Sequence, residues 1–416
     1  MVKLSVKIKP LNPLKGTLSQ HIRKIHRPVP PFRGSGGGIA ITLLLQILFI
    51  LPLPAQQKVS LNGYVSGLYT PIYLSGEDLF LNNGLLHNRL NFKYTPDDKW
   101  SFTAEIRNRA VFGNFSSLSP DYFSRLTADN GWMNLSWNIT QGTGYLLNSS
   151  VERLNIAYND KKWSLVVGRQ RINWSQTLMF NPNDIFNGYS FFDFDYPEKA
   201  GSDAVRLSYY PSEVSVVEVA AKLNRWGQPT IAALYRFNAG GWDAQALGGI
   251  VNRYDRVVGA GFSGEAGGVN LRGEASFFHS TQSDAPMKNT LVTSFGADYI
   301  FKNSLSLSGT VLYNQQPTGS SGNFLSLYNV PLTPKLLSIT DWTACVQVSY
   351  PITPLFTGGL AVVSFIDMPA FYFGPSVDYS LSDNLTVSAM VQLFTGGSKT
   401  SVSNLALGYL RLKYNF

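Results

Sequence analysis

The sequence predicts an all-β protein, a transmembrane antiparallel β-barrel of about 18 strands, or 16 if neighbouring strand boundaries merge. Three observations lead to this prediction. From Lys58 onward, segments of about ten to fourteen residues alternate in hydrophobicity. The connections between them are alternately very short and much longer. The last segment places Leu410, Leu412, Tyr414 and Phe416 on one face, with basic and amide residues between them.

Alternation is informative because successive side chains of a strand point to opposite faces, so one face can meet hydrocarbon and the other water. The chain of 416 residues is 44% hydrophobic and 14% charged, and its mean hydropathy is close to zero. A barrel needs no continuous apolar run, so this composition fits a membrane protein.

Eighteen segments carry the strand pattern. They are residues 58–70, 85–96, 99–112, 149–159, 161–172, 202–211, 213–224, 229–238, 241–251, 255–266, 269–281, 289–302, 304–316, 337–350, 354–367, 369–381, 384–395 and 402–416. An even number places both termini on the same side of the membrane. Residues 131–139 also resemble a strand, but an added strand would break this parity, so we expect them to be structure inside a long loop.

The connections separate into two kinds. Tight-turn residues such as Pro96-Asp97-Asp98 and Ser382-Asp383-Asn384 form the short ones. The longer connections include residues 71–84, 113–148, 173–201 and 317–336. Aromatic residues gather beside the short turns, as in the interfacial girdle of a membrane barrel.

The net charge of +8 does not indicate a nucleic-acid partner. Residues 1–55 contain eight of the 34 Lys and Arg residues and no Asp or Glu. The remaining 26 basic residues balance the 26 acidic ones, so the rest of the chain is neutral. The basic excess therefore belongs to a targeting segment.

The targeting segment ends in an apolar core, residues 39–53, followed by Ala55. Such a core is short for a membrane-spanning helix and suits a signal peptide, so we expect cleavage after Ala55 and a single barrel over residues 56–416. A retained N-terminal anchor is the alternative. Cys345 is the only cysteine, which excludes an intramolecular disulfide and a cysteine-based metal site.

No motif predicts catalytic residues, a metal site or a cofactor. After residue 55 the chain has only two histidines, His87 and His279, far apart in sequence. A barrel hydrolase would need one of them beside a nucleophile at a rim of the barrel. An enzyme is therefore not expected.

Charged residues inside the strands predict the lining of a pore. In the third segment Glu105, Arg107 and Arg109 share a face opposite apolar residues. A charge facing lipid near mid-membrane costs roughly 2–4 kcal/mol, so such faces should point inward. The predicted pore-lining residues are Arg89, Lys93, Glu105, Arg107, Arg109, Arg153, Arg169, Arg171, Asp184, Asp193, Asp195, Glu198 and Arg206.

The connection after Trp174 is long and contains four of the five acids of this set, Asp184, Asp193, Asp195 and Glu198. Long loops usually have a function or pack against something. If this loop folds into the lumen, its acids could face the arginines and create the transverse field of a selective constriction. Alternatively, the acids and arginines form a network that only holds a plug in place. Both interpretations remain open at this point.

The pattern GRQRINW, FNPNDIFN and FFDFDYPEKAGSDAVRLSYY, with VERLNIAY upstream, resembles a family of Bacteroidota outer-membrane barrel proteins distantly similar to solute-selective porins. Its motifs lie in residues 150–212. The resemblance implies a bacterial outer-membrane channel for passive diffusion of small polar solutes, and the arginines suggest a tilt toward anions. The alternatives are a loop-plugged barrel acting as an adhesin or structural protein and, third, a barrel enzyme.

The resemblance to outer-membrane barrel proteins also implies the expected partners. They are outer-membrane lipid, small polar solutes and the barrel assembly machinery, because the terminal strand ending at Phe416 resembles the signal that this machinery recognises. A homotrimer is one assembly consistent with porins.

Overall fold

The structure is a computed structural model. It describes residues 58–75, 78–117, 122–187, 198–283, 285, 287–315, 333–398 and 401–416. The chain divides into two units, Met1–Ala55 and Gln56–Phe416, and the fold described below belongs to the second. Signal-peptide cleavage after Ala55 stays a prediction.

Nineteen strands are described. They are β1 (Val59–Leu74), β2 (Leu79–Tyr94), β3 (Trp100–Gly113), β4 (Ser136–Gly142), β5 (Tyr145–Asn159), β6 (Trp163–Gln170), β7 (Ser202–Ser212), β8 (Ser215–Leu223), β9 (Pro229–Ala239), β10 (Trp242–Val251), β11 (Asp255–Ala266), β12 (Val269–Ser280), β13 (Asn289–Ile300), β14 (Ser306–Asn314), β15 (Trp342–Thr353), β16 (Phe356–Phe365), β17 (Ala370–Ser382), β18 (Leu385–Ser398) and β19 (Ser401–Asn415). A short helix, Tyr122–Leu126, and a 3₁₀ turn, Phe115–Ser117, lie between β3 and β4.

Eighteen of these strands form a closed antiparallel ring. Each pairs with its neighbours in sequence, except that β3 pairs with β5, and β19 pairs with β1. The ring closes at its end through two backbone hydrogen bonds between Gly63 and Phe416, of 2.9 and 3.0 Å. The predicted fold class and the count of 18 strands are confirmed.

The nineteenth strand, β4, lies in the connection between β3 and β5 and pairs only with β5. The sequence placed a strand-like segment inside this loop, at residues 131–139, and the strand begins five residues later, at Ser136. The connection predicted at residues 71–84 is much shorter in the structure, because β1 and β2 extend to within five residues of each other.

The two faces of the wall differ as the alternation predicts. On β3, Trp100, Phe102 and Phe112 point outward and are 40%, 40% and 54% exposed, whereas Arg107 and Arg109 on the opposite face are 5% and 4% exposed. The terminal strand, β19, also has an apolar outer face, since Leu410, Leu412 and Tyr414 are exposed. An apolar exterior is what a bilayer requires of a closed barrel.

No helix in the described part of the chain is long and apolar enough to cross a membrane.

The interior is partly filled by the connection between β6 and β7. Its first half, residues 171–187, is described. Except for Leu178, which is 60% exposed, its large apolar side chains are almost fully buried, including Ile172, Trp174 and Ile185 at 0%, 1% and 2% exposure. They pack in one cluster with inward-facing residues of the wall such as Ala220 and Phe278. The core of this protein therefore lies inside the barrel.

Candidate functional site

Arginines form a layer on the inner face of β2 and β3. The strand register places Arg89 opposite Arg107, and His87 opposite Arg109. Two adjacent guanidinium groups repel each other unless carboxylates lie nearby. Arg89 forms an ion pair with Glu105, and Nε of Arg107 lies 3.5 Å from Oε1 of Glu152. The layer is therefore basic but partly neutralised.

Glu152 reaches this layer because β5 is irregular. Glu105 pairs with Arg153 but Ile106 pairs with Val151, so Glu152 is an extra residue in the ladder. Such a bulge re-aims the side chains beside it. Glu152 and Arg153 consequently both lie on the inner side, with side chains that are largely buried. Strict alternation would have sent Glu152 toward lipid, and Glu152 is not among the predicted pore-lining residues.

Arg153 holds the returning end of the long connection against the wall. Its Nη2 donates to the carbonyl oxygens of Glu198 and Lys199, at 3.1 and 2.7 Å, and its Nη1 donates to that of Glu152, at 2.7 Å. Gly201 allows the close approach, since a Cβ there would lie 2.6 Å from the carbonyl oxygen of Glu152. Burial lowers the pKa of Lys199, an effect that Asp184 opposes.

Arg169, on β6, is tied into a structural network. All five of its N–H groups have acceptors. The Nε proton and one Nη2 proton are donated to the two carboxylate oxygens of Asp203. The two Nη1 protons are donated to the carboxylate of Asp129 and the carbonyl of Val151. The second Nη2 proton is donated to the carbonyl of Met133. The two carboxylates more than neutralise its single positive charge. Neither Asp129 nor Asp203 was predicted.

Arg171 is not part of the strand wall, contrary to expectation. Strand β6 ends at Gln170, and Arg171 forms an ion pair with Asp184 of the same loop. Burial raises the pKa of Asp184, whereas Arg171 acts in the opposite direction. The acid that was expected to face the arginine wall thus pairs within the loop. Asp193 and Asp195 lie outside the described residues.

The remaining predicted residues lie at different heights. Arg109 is buried and donates to the carbonyl of Leu126, at 3.1 Å, and to Oδ1 of Asn148, at 2.8 Å. Lys93 is exposed near the end of β2 that adjoins the short turn. Arg206 lies between the exposed Val205 and Leu207, on the inner face of β7, where it is partly buried.

Two cavities lie on either side of the arginine layer. The first, of about 520 Å³, is lined by Arg107, Arg109, Arg125, Arg169, Asp129 and Glu152 among others. The second, of about 510 Å³, is lined by Arg89, Arg153, Lys413, Glu105 and Glu198 among others. In each cavity the basic side chains outnumber the acidic ones. Residues 198–201 border both, because Glu198 lines the second and Gly201 the first.

A third cavity, of about 740 Å³, lies across the loop from the arginines. Its wall, from β13 to β19, is mostly neutral and includes Ser306, Ser308, Gln347, Ser376 and Gln392. Loop residues Met179 and Lys199 line it too. The loop therefore divides the interior into a basic side and a largely uncharged polar side.

Neither histidine is placed like a catalytic base among the described residues. His87 is buried against the ring of Tyr64, with ring centroids 5.2 Å apart. Nδ1 of His279 is 2.7 Å from Oδ1 of Asn289. Within the described ranges, no group of three His, Cys, Asp or Glu residues has the geometry to hold a metal ion.

Many solved structures resemble this fold, and three of them are bacterial proteins with the following similarities. OccK11 (OpdR) of Pseudomonas aeruginosa is 8% identical, with 86% of this chain and 96% of that chain covered and a TM-score of 0.56. OccAB4 of Acinetobacter baumannii is 10% identical, with 88% and 100% covered and a TM-score of 0.55. OpdQ of Pseudomonas aeruginosa is 8% identical, with 86% and 98% covered and a TM-score of 0.54. No protein-family model matches the chain, and no curated protein matches its sequence significantly.

At such low identities the similarity defines the fold and not the solute. The closed ring of 18 strands, its apolar exterior and its loop-narrowed lumen define a β-barrel of the outer-membrane porin type. Membership of the Bacteroidota family that the sequence resembles stays a prediction.

Proposed function

We propose that this protein is a channel of the bacterial outer membrane through which small polar solutes diffuse passively, with a preference for anions. The observation that carries the proposal is the pair of basic cavities. The inserted loop packs against much of the inner wall but leaves these two cavities beside β1 to β6 and β19, on either side of the arginine layer. Fixed charge that lines a pore selects ions by sign.

The location in the outer membrane rests on the exterior of the barrel. Large apolar side chains are exposed along the strands, and aromatic pairs such as Trp163 with Tyr209 and Trp100 with Tyr158 lie near the short turns. Aromatic rings at this depth favour a membrane interface. Outer-membrane lipid is a proposed partner on the same basis. The assembly machinery is proposed from the terminal strand that ends at Phe416, and a homotrimer is proposed by analogy with porins.

The main rival is a barrel closed by its own loops that serves as an adhesin or structural protein. The tightly buried loop around Trp174 favours this rival. Conductance separates the two proposals. We expect stepwise currents when the purified barrel is inserted into planar bilayers. Its folding is checked first by a heat-dependent change in its migration on SDS gels. A folded and inserted barrel without current would exclude the channel.

Two opposite substitutions test the preference for anions. Arg107→Gln removes a positive charge from the layer, and Glu152→Gln removes the carboxylate beside it. In asymmetric KCl, the reversal potential should move toward cation preference in the first variant and toward anion preference in the second. Equal shifts in the same direction, or no shift in either variant, would reject a selective arginine layer. Wild-type protein from the same preparation is the control.

A further inference from the structure

The inserted loop is fastened to the barrel wall opposite the arginines. Its tip meets Glu274 of β12, a carboxylate that is 4% exposed. In the ring of 18 strands, β12 is nine strands from β2, which carries Arg89. The loop therefore crosses the lumen from β6 to the far side.

Glu274 accepts three backbone N–H groups from the loop. Oε1 accepts those of Gln176 and Thr177, the latter at 2.7 Å, and Oε2 accepts that of Asn183 at 2.9 Å. Hydrogen bonds to a carboxylate are stronger than those between neutral groups. One wall side chain thus holds both ends of the turn formed by residues 176–183.

The neighbouring wall is shaped to receive the same turn. Asn183 donates to the carbonyl of Ala260 at 3.0 Å and accepts from Oγ of Ser276 at 2.8 Å. Gly259 and Gly261 leave room for it, because a Cβ on either would lie within 3.0 Å of the Asn183 amide. The carbonyl of Ala260, the hydroxyl of Ser276 and the space left by the two glycines therefore all fit the side chain of Asn183.

We propose that Glu274 is a positioning residue that fixes the turn of residues 176–183 against the wall and thereby determines the width of the channel. This inference depends on the proposed channel function. The Glu274 carboxylate does not line the two basic cavities. Its effect on permeation would act through the loop, whose returning segment, residues 198–201, borders those cavities.

Glu274→Gln tests the proposal, because the amide keeps the size of the side chain but presents an NH₂ group to N–H donors. We expect single-channel conductance to change by roughly two-fold or more, with added open-channel noise as the loop moves. Glu265→Gln is the matched control, since it removes a carboxylate from neighbouring β11 at an exposed position. Conductance of Glu274→Gln equal to that of the control would overturn the proposal.

A disulfide supplies a second readout. Asn183→Cys with Ser276→Cys joins the loop to the wall at an existing contact. In the Glu274→Gln background, oxidation should restore wild-type conductance, and reduction should abolish the rescue. In the otherwise wild-type background the cross-link should leave conductance unchanged. A change in conductance there would show that Glu274 does not fix the loop. This second test remains available if Glu274→Gln fails to assemble. Absence of current from wild-type barrels would instead contradict the channel function.

Discussion

Arg169 and Asp203 face each other across β6 and β7 in a two-pronged ion pair, with Nε to Oδ1 at 2.7 Å and Nη2 to Oδ2 at 2.9 Å. Asp129 takes a further Arg169 proton at 2.7 Å. With two carboxylates around one guanidinium group, Arg169 contributes little net positive charge to the lumen. Arg169 therefore connects the barrel wall to the loop that carries Asp129.

Substituting Arg169 should therefore lower stability more than it changes selectivity. Arg169→Met leaves two buried carboxylates without their partner, and breaking a buried pair in this way costs about 3–5 kcal/mol. We expect a clear decrease in the unfolding midpoint of the barrel in detergent. Arg206→Met is the control, because Arg206 forms no ion pair with a described residue. Equal stability of the two variants would contradict this role of Arg169.

Asp184 should make the anion preference depend on pH. Burial raises the pKa of its carboxyl above the ordinary value for Asp, which is about 3.9. As pH falls, Asp184 therefore takes up a proton earlier than an exposed Asp, and Arg171 is left without its counter-charge. The lumen gains positive charge, so anion preference should rise as pH falls.

Reversal potentials between pH 7 and about pH 4 measure this effect, because ordinary carboxylates are still largely ionised over most of that range. Asp184→Asn is neutral at every pH, so it should show the greater anion preference already at pH 7 and a weaker change on acidification. An unaltered pH profile in this variant would refute the assignment to Asp184.

Phe416 should contribute to assembly in two separable ways. Its backbone forms both closing hydrogen bonds with Gly63, whereas its ring belongs to the proposed recognition signal. Deleting Phe416 removes both contributions, and Phe416→Ala removes only the ring. We expect less heat-modifiable barrel in the outer membrane for both variants, with the greater loss for the deletion. Normal amounts of Phe416→Ala would indicate that the ring is not recognised.

Gly201→Val should push the returning segment away from the wall. The added side chain would meet the Glu152 carbonyl, the Cγ of Arg169 and the guanidinium group of Arg153, at 2.6, 2.9 and 3.0 Å from its Cβ. Because that segment borders both basic cavities, we expect weaker anion selectivity in an otherwise folded barrel. Reversal potentials measure this, and Gly227→Val is the control, since nothing lies within 4 Å of a Cβ there, although its positive φ strains the turn.

The fold was predictable because alternation and turn chemistry are local properties. The terminal strand, the count of 18 and the inner face of β3 all follow from period two and from parity. Where the chain departs from period two, prediction failed. One extra residue in β5 turned Glu152 inward, and no pattern in the sequence marks that bulge.

The fastening of the loop was also hidden in the sequence. Glu274, Glu218 and Lys222 lie on wall strands far along the chain from the loop residues they bind. An acid within a strand indicates an inward face, but it does not reveal which distant backbone amides it will meet. Sequence reasoning therefore located the loop and its arginines and missed the wall residues that hold it.

Strand β4 has a consequence for the wall itself. β6 pairs with β5 only from Leu154 to Asn159, and above that level the same edge of β5 is paired by β4, from Tyr145 to Ser150. A shortened β3–β5 connection would leave that stretch of backbone facing hydrocarbon with unsatisfied amides and carbonyls. Strand β4 is therefore part of the barrel wall and not an optional surface insertion. Its removal would open the wall beside β5 to lipid.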